Sequence, residues 1–396
     1  MHGVKADFDA DRRSEIPVSS PWGIGLLELS GNTLGSPMMA ANGTRFGGWL
    51  LNTADNDLHL VGDLDGDGRD EVLITSPWGI GVLKRQGGAM SAVMMAPNGT
   101  RFGGWLLNTA DNRFGPAGDY DGDGKPEILI SSPWGIGILK LSGGTLQVLM
   151  MAPNGTRFGG WLLNTRDNHF GPAGDFDGDG LTEILFSSPW GAGLTKLTGG
   201  SLTAPFMAPN GSRLGGWLLN TAENEFGPAR DYDGDGRAEL LVISGWGIGF
   251  LKYSGAALTS LIMAAHGTRI GGWLLNTADN RFGPVGDYDG DGRDEILLVS
   301  PWGIGVLEIS GAAALAVSPM FPNGSRFGGW LLNTADNHFD AAGDYDGDGR
   351  QEILITSPWG LGVLDIDGGA INAPVMAPNG TRFGGWLLNT RDNRFG

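Results

Sequence analysis

Along this chain an acidic, glycine-punctuated stretch gives way to a short apolar run, a Pro-Trp-Gly break and two further apolar runs, and then the order begins again. One copy reads "EILISS" (Glu127 to Ser132), then "GIGILKLSGG", then "TLQVLMMAP", and after a glycine-rich loop the next copy opens on "FGPAGD". Short apolar runs bounded by Gly and Pro read as strands, and no segment keeps the 3.6-residue period of a helix. Each module therefore predicts four short strands. Strands that are apolar on both faces belong to sheets covered on both sides by neighbours.

The acidic motif begins at Asp7, Asp63, Asp119, Asp175, Asp231, Asp287 and Asp344, a spacing of 56 residues that becomes 57 at the last step, with the extra residue between Gly311 and Asn323. "GGWLLNT" and a "WG" that follows the acidic motif each occur in all seven modules and together use all 14 tryptophans. A four-stranded module of this length matches a propeller blade, whereas a coil of β-helix is much shorter. Residues 1–396 are accordingly predicted to form a single all-β domain, a seven-bladed β-propeller of antiparallel blades, closed by packing the first blade on the last. An open solenoid would need polar capping modules at its ends, and none is visible.

Composition changes this picture in only a few places. Glycine, 71 of 396 residues, is far above the usual ~7%, but it recurs at fixed module positions, and the aromatic content is too high for a disordered linker. A net charge of −18 disfavours nucleic acid and anionic membranes as partners. The absence of cysteine excludes a disulfide framework without fixing a compartment. The opening "MHGVKADFDADRR" has no apolar core of a signal peptide and no run reaches ~18 apolar residues, so the expectation is a cytosolic chain or a mature form without its leader, and no membrane span.

In "DYDGDGRDE" the side chains of Asp287, Asp289 and Asp291 occupy positions 1, 3 and 5, Gly292 position 6, Arg293 position 7 and Glu295 position 9. Alternate acids around a tight glycine turn can converge on one hard cation, with the position-7 carbonyl as a neutral oxygen, which suits Ca²⁺ better than Mg²⁺; no His or Cys favours zinc or copper. An EF-hand would need an acid at position 12, which Leu298 holds. The alternative is an acidic solvated turn. The other copies supply Asp7, Asp9, Asp11 and Glu15; Asp63, Asp65, Asp67, Arg69 and Glu71; Asp119, Asp121, Asp123, Lys125 and Glu127; Asp175, Asp177, Asp179, Leu181 and Glu183; Asp231, Asp233, Asp235, Arg237 and Glu239; and Asp344, Asp346, Asp348, Arg350 and Glu352. Up to seven Ca²⁺ ions are expected, with the first site weakest, because Ala10 and Arg12 replace its glycines.

"FGPAGDYDGDGKPEILISSP" (Phe114 to Pro133) resembles the FG-GAP repeat of integrin α-subunit propellers, in which an FG-containing strand precedes a calcium loop and a second strand. The stretch "NGTRFGGWLLNTADN" is similar to the modules of the Psathyrella velutina lectin type, fungal seven-bladed propellers that bind N-acetylglucosamine between blades, although "LLNTADN" departs from the basic segment of that lectin.

In a four-stranded meander the "PWG" turn and the long connection lie on the rim opposite the acidic loop. There Trp22, Trp78, Trp134, Trp190, Trp246, Trp302 and Trp359 of the WG series would meet Trp49, Trp105, Trp161, Trp217, Trp273, Trp330 and Trp386 of the GGW series, with Arg101, Asn108, Asp111, Asn112 and their counterparts. Indoles cover the apolar faces of sugars, and Asn, Asp and Arg bond hydroxyls, so the expected partner is a glycan. The opposing reading is that both tryptophans are wedges between blades. "NGT" or "NGS" recurs at Asn42, Asn98, Asn154, Asn210, Asn323 and Asn379, with His266 in the remaining module, and reads as a tight turn before a glycosylation acceptor. His2, His59, His169, His266 and His338 sit at scattered positions and no enzyme is expected. The rival functions are an integrin-like protein-binding module and a designed or reconstructed repeat with no selected ligand.

Overall fold

In a computed structural model, which describes residues 6–311, 314–367 and 369–396, the chain folds as a seven-bladed β-propeller, and the described residues contain no helix. In the third blade Arg113–Gly118 is the innermost strand, followed outward by Glu127–Ser132, Gly135–Ser142 and Thr145–Pro153, each antiparallel to the last. Burial follows the position of each strand. The second strand is buried along nearly its whole length because neighbouring blades cover both of its faces, whereas the outermost strand alternates exposed and buried residues. The seven apolar clusters each join residues of two adjacent blades, as in the cluster that packs Leu73 and Ile80 against Ile128 and Leu139.

Two features were not expected. A hairpin of two-residue strands, Arg101–Phe102 with Trp105–Leu106, stands in the connection after each outermost strand. The first blade takes its innermost strand from the end of the chain: Arg394 and Phe395 pair with Ser19 and Val18, so strand exchange adds to packing in closing the circle. In the sixth blade, where the extra residue falls, Ser310 pairs with Ala314, whereas in the third blade Ser142 pairs with Thr145.

The acidic loops are stitched together around their rim. The position-8 N–H donates to the position-1 carbonyl of the preceding loop, as from Asp70 to Asp7 (2.8 Å), Thr182 to Asp119 (2.7 Å), Gln351 to Asp287 (2.8 Å) and, across the closure, Ser14 to Asp344 (2.7 Å). Pro126 holds position 8 in the third loop and has no N–H to give. There Lys125 Nζ donates to the Asp65 carbonyl instead, at 2.7 Å.

Candidate functional site: two rims

Each acidic loop organises itself through its carboxylates. Asp287 accepts from the N–H of Gly290 (2.7 Å) and of Gly292 (3.1 Å), and Asp289 and Asp291 accept from the N–H two residues further on. Glu295 is buried and accepts from the Tyr288 N–H at 2.8 Å, a contact that recurs from Glu15 to Glu352. The frame survives in the first loop at a conformational cost, because Ala10 and Arg12 adopt φ of +66° and +75°, where the other loops have glycine. In the sixth and fourth loops all four predicted acids are brought together, with ligand oxygens of Asp287, Asp289, Asp291 and Glu295, and of Asp175, Asp177, Asp179 and Glu183, within 4.8 Å of one another; in the second loop Asp63, Asp65 and Glu71 cluster, and in the first Asp7, Asp9 and Glu15 do, while Asp11 groups with Asp9 and Glu28.

The chain puts its own cations into most of these cages. Lys140, on the third strand, places Nζ 2.5 Å from Asp121, 2.7 Å from Asp123 and 3.2 Å from the buried Glu127. Lys84, Lys196 and Lys252 repeat this in the second, fourth and fifth loops. Strand register explains it, since Lys84 lies directly across from Glu71 and Lys252 across from Glu239. In the first loop the guanidinium of Arg85, reaching over from the second blade, contacts Asp9 and Glu15. At the lysine position the first, sixth and seventh blades carry Glu28, Glu308 and Asp365.

The electrostatics follow this division. Burial raises every position-9 glutamate; with a lysine beside them Glu71, Glu127, Glu183 and Glu239 reach about 7, whereas Glu295 reaches about 9 and Glu352 about 8, pushed further by their neighbouring aspartates. The Lys140 hydrogen bond pulls Asp123 down, while burial and the charges of Asp289 and Asp291 raise Asp287.

On the opposite rim the two tryptophan series part company. Trp49, Trp105, Trp217 and Trp273 are 0% exposed, Trp330 and Trp386 are buried and Trp161 is half-buried. Each indole N–H of this series donates to an Asn, as Trp105 does to Asn112 Oδ1 at 3.4 Å. The ring fills the space that a Cβ on Gly137 would need. These residues were predicted to bind carbohydrate; six of the seven have no face to offer, and the series and Asn112 serve as interblade wedges and their anchors. Asn108 and Asp111 are tied to each other at 2.7 Å within the connecting loop. Arg101 is exposed and lines an open groove of about 620 Å³ between the second and third blades, together with Met94, Thr100, Phe102 and Gln147.

The WG series is exposed. Trp78, Trp134, Trp246 and Trp302 are 40–44% exposed, each tilted against a buried indole with centroids 4.1–4.3 Å apart, as Trp78 is on Trp49. Trp22, Trp190 and Trp359 stand further out, at 72–74%. In the fourth blade it is Phe186, and not Trp190, that packs against Trp161, edge-on at 4.3 Å. Asn98 binds the turn beneath Trp78, donating from Nδ2 to the Pro77 carbonyl (2.9 Å) and to Thr109 (3.0 Å), so the Asn-Gly motif acts as a turn clamp here; His266 makes the corresponding contact with Thr277.

Residues 63–130 match the FG-GAP-like repeat family and residues 113–149 the FG-GAP repeat family. Residues 63–149 carry FG-GAP repeats. Their acidic loops are the first-to-second-strand turns of the blades described above. A solved structure described as showing specific recognition of non-reducing terminal N-acetylglucosamine by an Agrocybe aegerita lectin is similar in fold to this propeller, with a TM-score of 0.62 at 18% identity, covering 96% of this chain and 94% of that one. A Pseudomonas aeruginosa periplasmic gluconolactonase aligns with a TM-score of 0.48 at 11% identity over 96% and 99% of the two chains. A 6-phosphogluconolactonase-like protein from Bacteroides uniformis aligns at 0.48 and 13%, over the same shares. No curated protein matches in sequence. No helix among the described residues is long and apolar enough to cross a membrane.

Proposed function

We propose that this FG-GAP propeller is a multivalent carbohydrate-binding protein of the lectin type whose acidic loops bind Ca²⁺, and that it works by binding and not by catalysis. The observation that carries the reading is the ring of WG indoles on one rim, 40–74% exposed and repeated in every blade. Four of them, Trp78, Trp134, Trp246 and Trp302, are backed by a second indole, and an indole so held offers a flat apolar face to the C–H side of a sugar ring at little entropic cost. Each such contact is weak alone, and repetition around one ring converts weak sites into avidity on a glycan-coated surface. Terminal N-acetylglucosamine is the first sugar to test, because the Agrocybe lectin of similar fold is described as recognising it. Arg101-type side chains in the interblade grooves supply the donors for hydroxyl groups. Calcium on the far rim has a supporting role, holding the acidic loops together by binding the native state.

A protein-binding surface is the second reading. It is favoured by Leu50, Met95 and their repeats, which with the WG tryptophans make up the large exposed apolar side chains of the described residues.

A glycan array with and without calcium, run beside a variant with all seven WG tryptophans changed to Ala, tests the choice. Saturable hits lost in the variant, with its melting temperature kept, support the lectin. Silence on the array from folded wild-type protein, with a polypeptide bound instead, overturns it.

A further inference from the structure

The seven FG-GAP loops share one frame yet differ in what neutralises them, and the difference is written outside the motif. We propose that the sixth and seventh loops are the chain's sites for an exogenous divalent cation, while the second to fifth loops carry their cation covalently as a lysine ammonium and the first borrows the guanidinium of Arg85. This rests on the calcium reading above and narrows it from seven loops to two.

Three observations converge. First, the ammonium of Lys140 marks where positive charge belongs, since it contacts carboxylates from positions 3, 5 and 9 at once. A second cation in that place would have to expel a tethered one. Second, in the sixth blade Glu308 replaces that lysine on the strand that pairs with the one beginning at Glu295, one step beyond the Ile296–Leu307 pair. Two carboxylates facing across strands are unfavourable on their own. Arg293, at position 7, lies 3.8 Å from Asp291 by its Nε and donates to the Ile309 carbonyl (3.1 Å), with no ion pair to Glu295. Third, in the seventh loop Glu352 is 1% exposed and its Oε1 is buried with no hydrogen-bond partner and no ammonium beside it, unlike Glu71, Glu127, Glu183 and Glu239; Arg350 pairs with the position-5 Asp348 and with Asp367 but not with Glu352. A buried carboxylate oxygen without a partner is costly unless a cation completes it. Three aspartates, a glutamate and the position-7 carbonyl form an all-oxygen donor set, which a hard cation of the Ca²⁺ kind prefers.

The test is the number of Ca²⁺ ions bound by the full chain, measured by isothermal titration and native mass spectrometry after dialysis against a chelator. Two ions per chain are expected. Glu308→Lys, which gives the sixth loop an ammonium of its own, should lower the count by one; Lys140→Glu, which removes one from the third loop, should raise it by one. Seven equivalent ions, or an unchanged count in folded Glu308→Lys protein, overturn the partition and leave the calcium reading standing. No calcium bound by wild type at millimolar concentration overturns both. The wild-type count needs no variant, so misfolding of either substitution does not remove the test.

Discussion

The third and sixth loops have the same acids at the same four positions, and yet one is the reverse of the other electrostatically. In the third, Lys140 closes the cage and its glutamate, Glu127, lies at about 7; in the sixth, Glu308 stands in the lysine's place and Glu295 is driven to about 9. The motif sets the oxygens, and a residue one strand away decides whether the chain fills the cage itself. Acidic density is therefore a poor measure of how many ions a repeat protein takes up.

The sharpest way to break this contrast is to remove an internal cation. Lys84→Met leaves Asp65, Asp67 and the fully buried Glu71 uncompensated. It should cost about 3–5 kcal/mol in urea unfolding with chelator present, the penalty for orphaning a buried ion pair. Glu308→Gln under the same conditions should be neutral or stabilising, and equal losses would abolish the distinction. Next in size is the response to calcium. Glu295→Gln should remove about 2.7 kcal/mol of calcium-dependent stabilisation at a concentration 100 times the dissociation constant, whereas Glu127→Gln should leave the calcium increment unchanged.

Proton linkage separates the loops further. Burial raises Glu295 from an ordinary 4.5 to about 9, so the calcium-free folded state keeps a proton that the unfolded chain releases. Stability then falls as pH rises from about 4.5 to 9, by about 1.4 kcal/mol per pH unit for one such group. For the lysine-flanked Glu127 that fall is complete near 7. Melting temperatures in chelator should thus keep declining between pH 7 and 9, less steeply in Glu295→Gln, and calcium should flatten the slope. The smallest effect concerns the first loop. Arg12→Gly relieves a positive φ and should add about 1 kcal/mol by thermal unfolding.

Much of this was legible in the sequence. The constant spacing of the loops and the glycine-bounded apolar runs led directly to the blades, because each run must bury both faces and only stacked sheets allow it. The acidic loops were equally plain. What escaped was anything that depends on register. "GVLKRQ" and "GVLEIS" look alike as apolar strands, and only the pairing of Lys84 with Glu71 shows that their fourth residue faces the loop. A lysine or acid at a fixed distance beyond the WG turn was the available signal. Arg85 was hidden for the same reason, standing where the third blade has the core residue Leu141. The division of the tryptophans was beyond reach as well, since both series sit beside glycine and only the packing against Gly81 and Gly137 tells the wedge from the exposed ring.

The chain of amides around the acidic rim has a mechanical meaning. A hoop whose segments each grip the one behind shares a load evenly until it meets the segment with no grip of its own, and here that is the seam between the second and third blades, where Pro126 leaves the fastening to a single flexible lysine. Pulled or heated, the ring has its first place to gape there, and not in the first blade, where its two ends are sewn together.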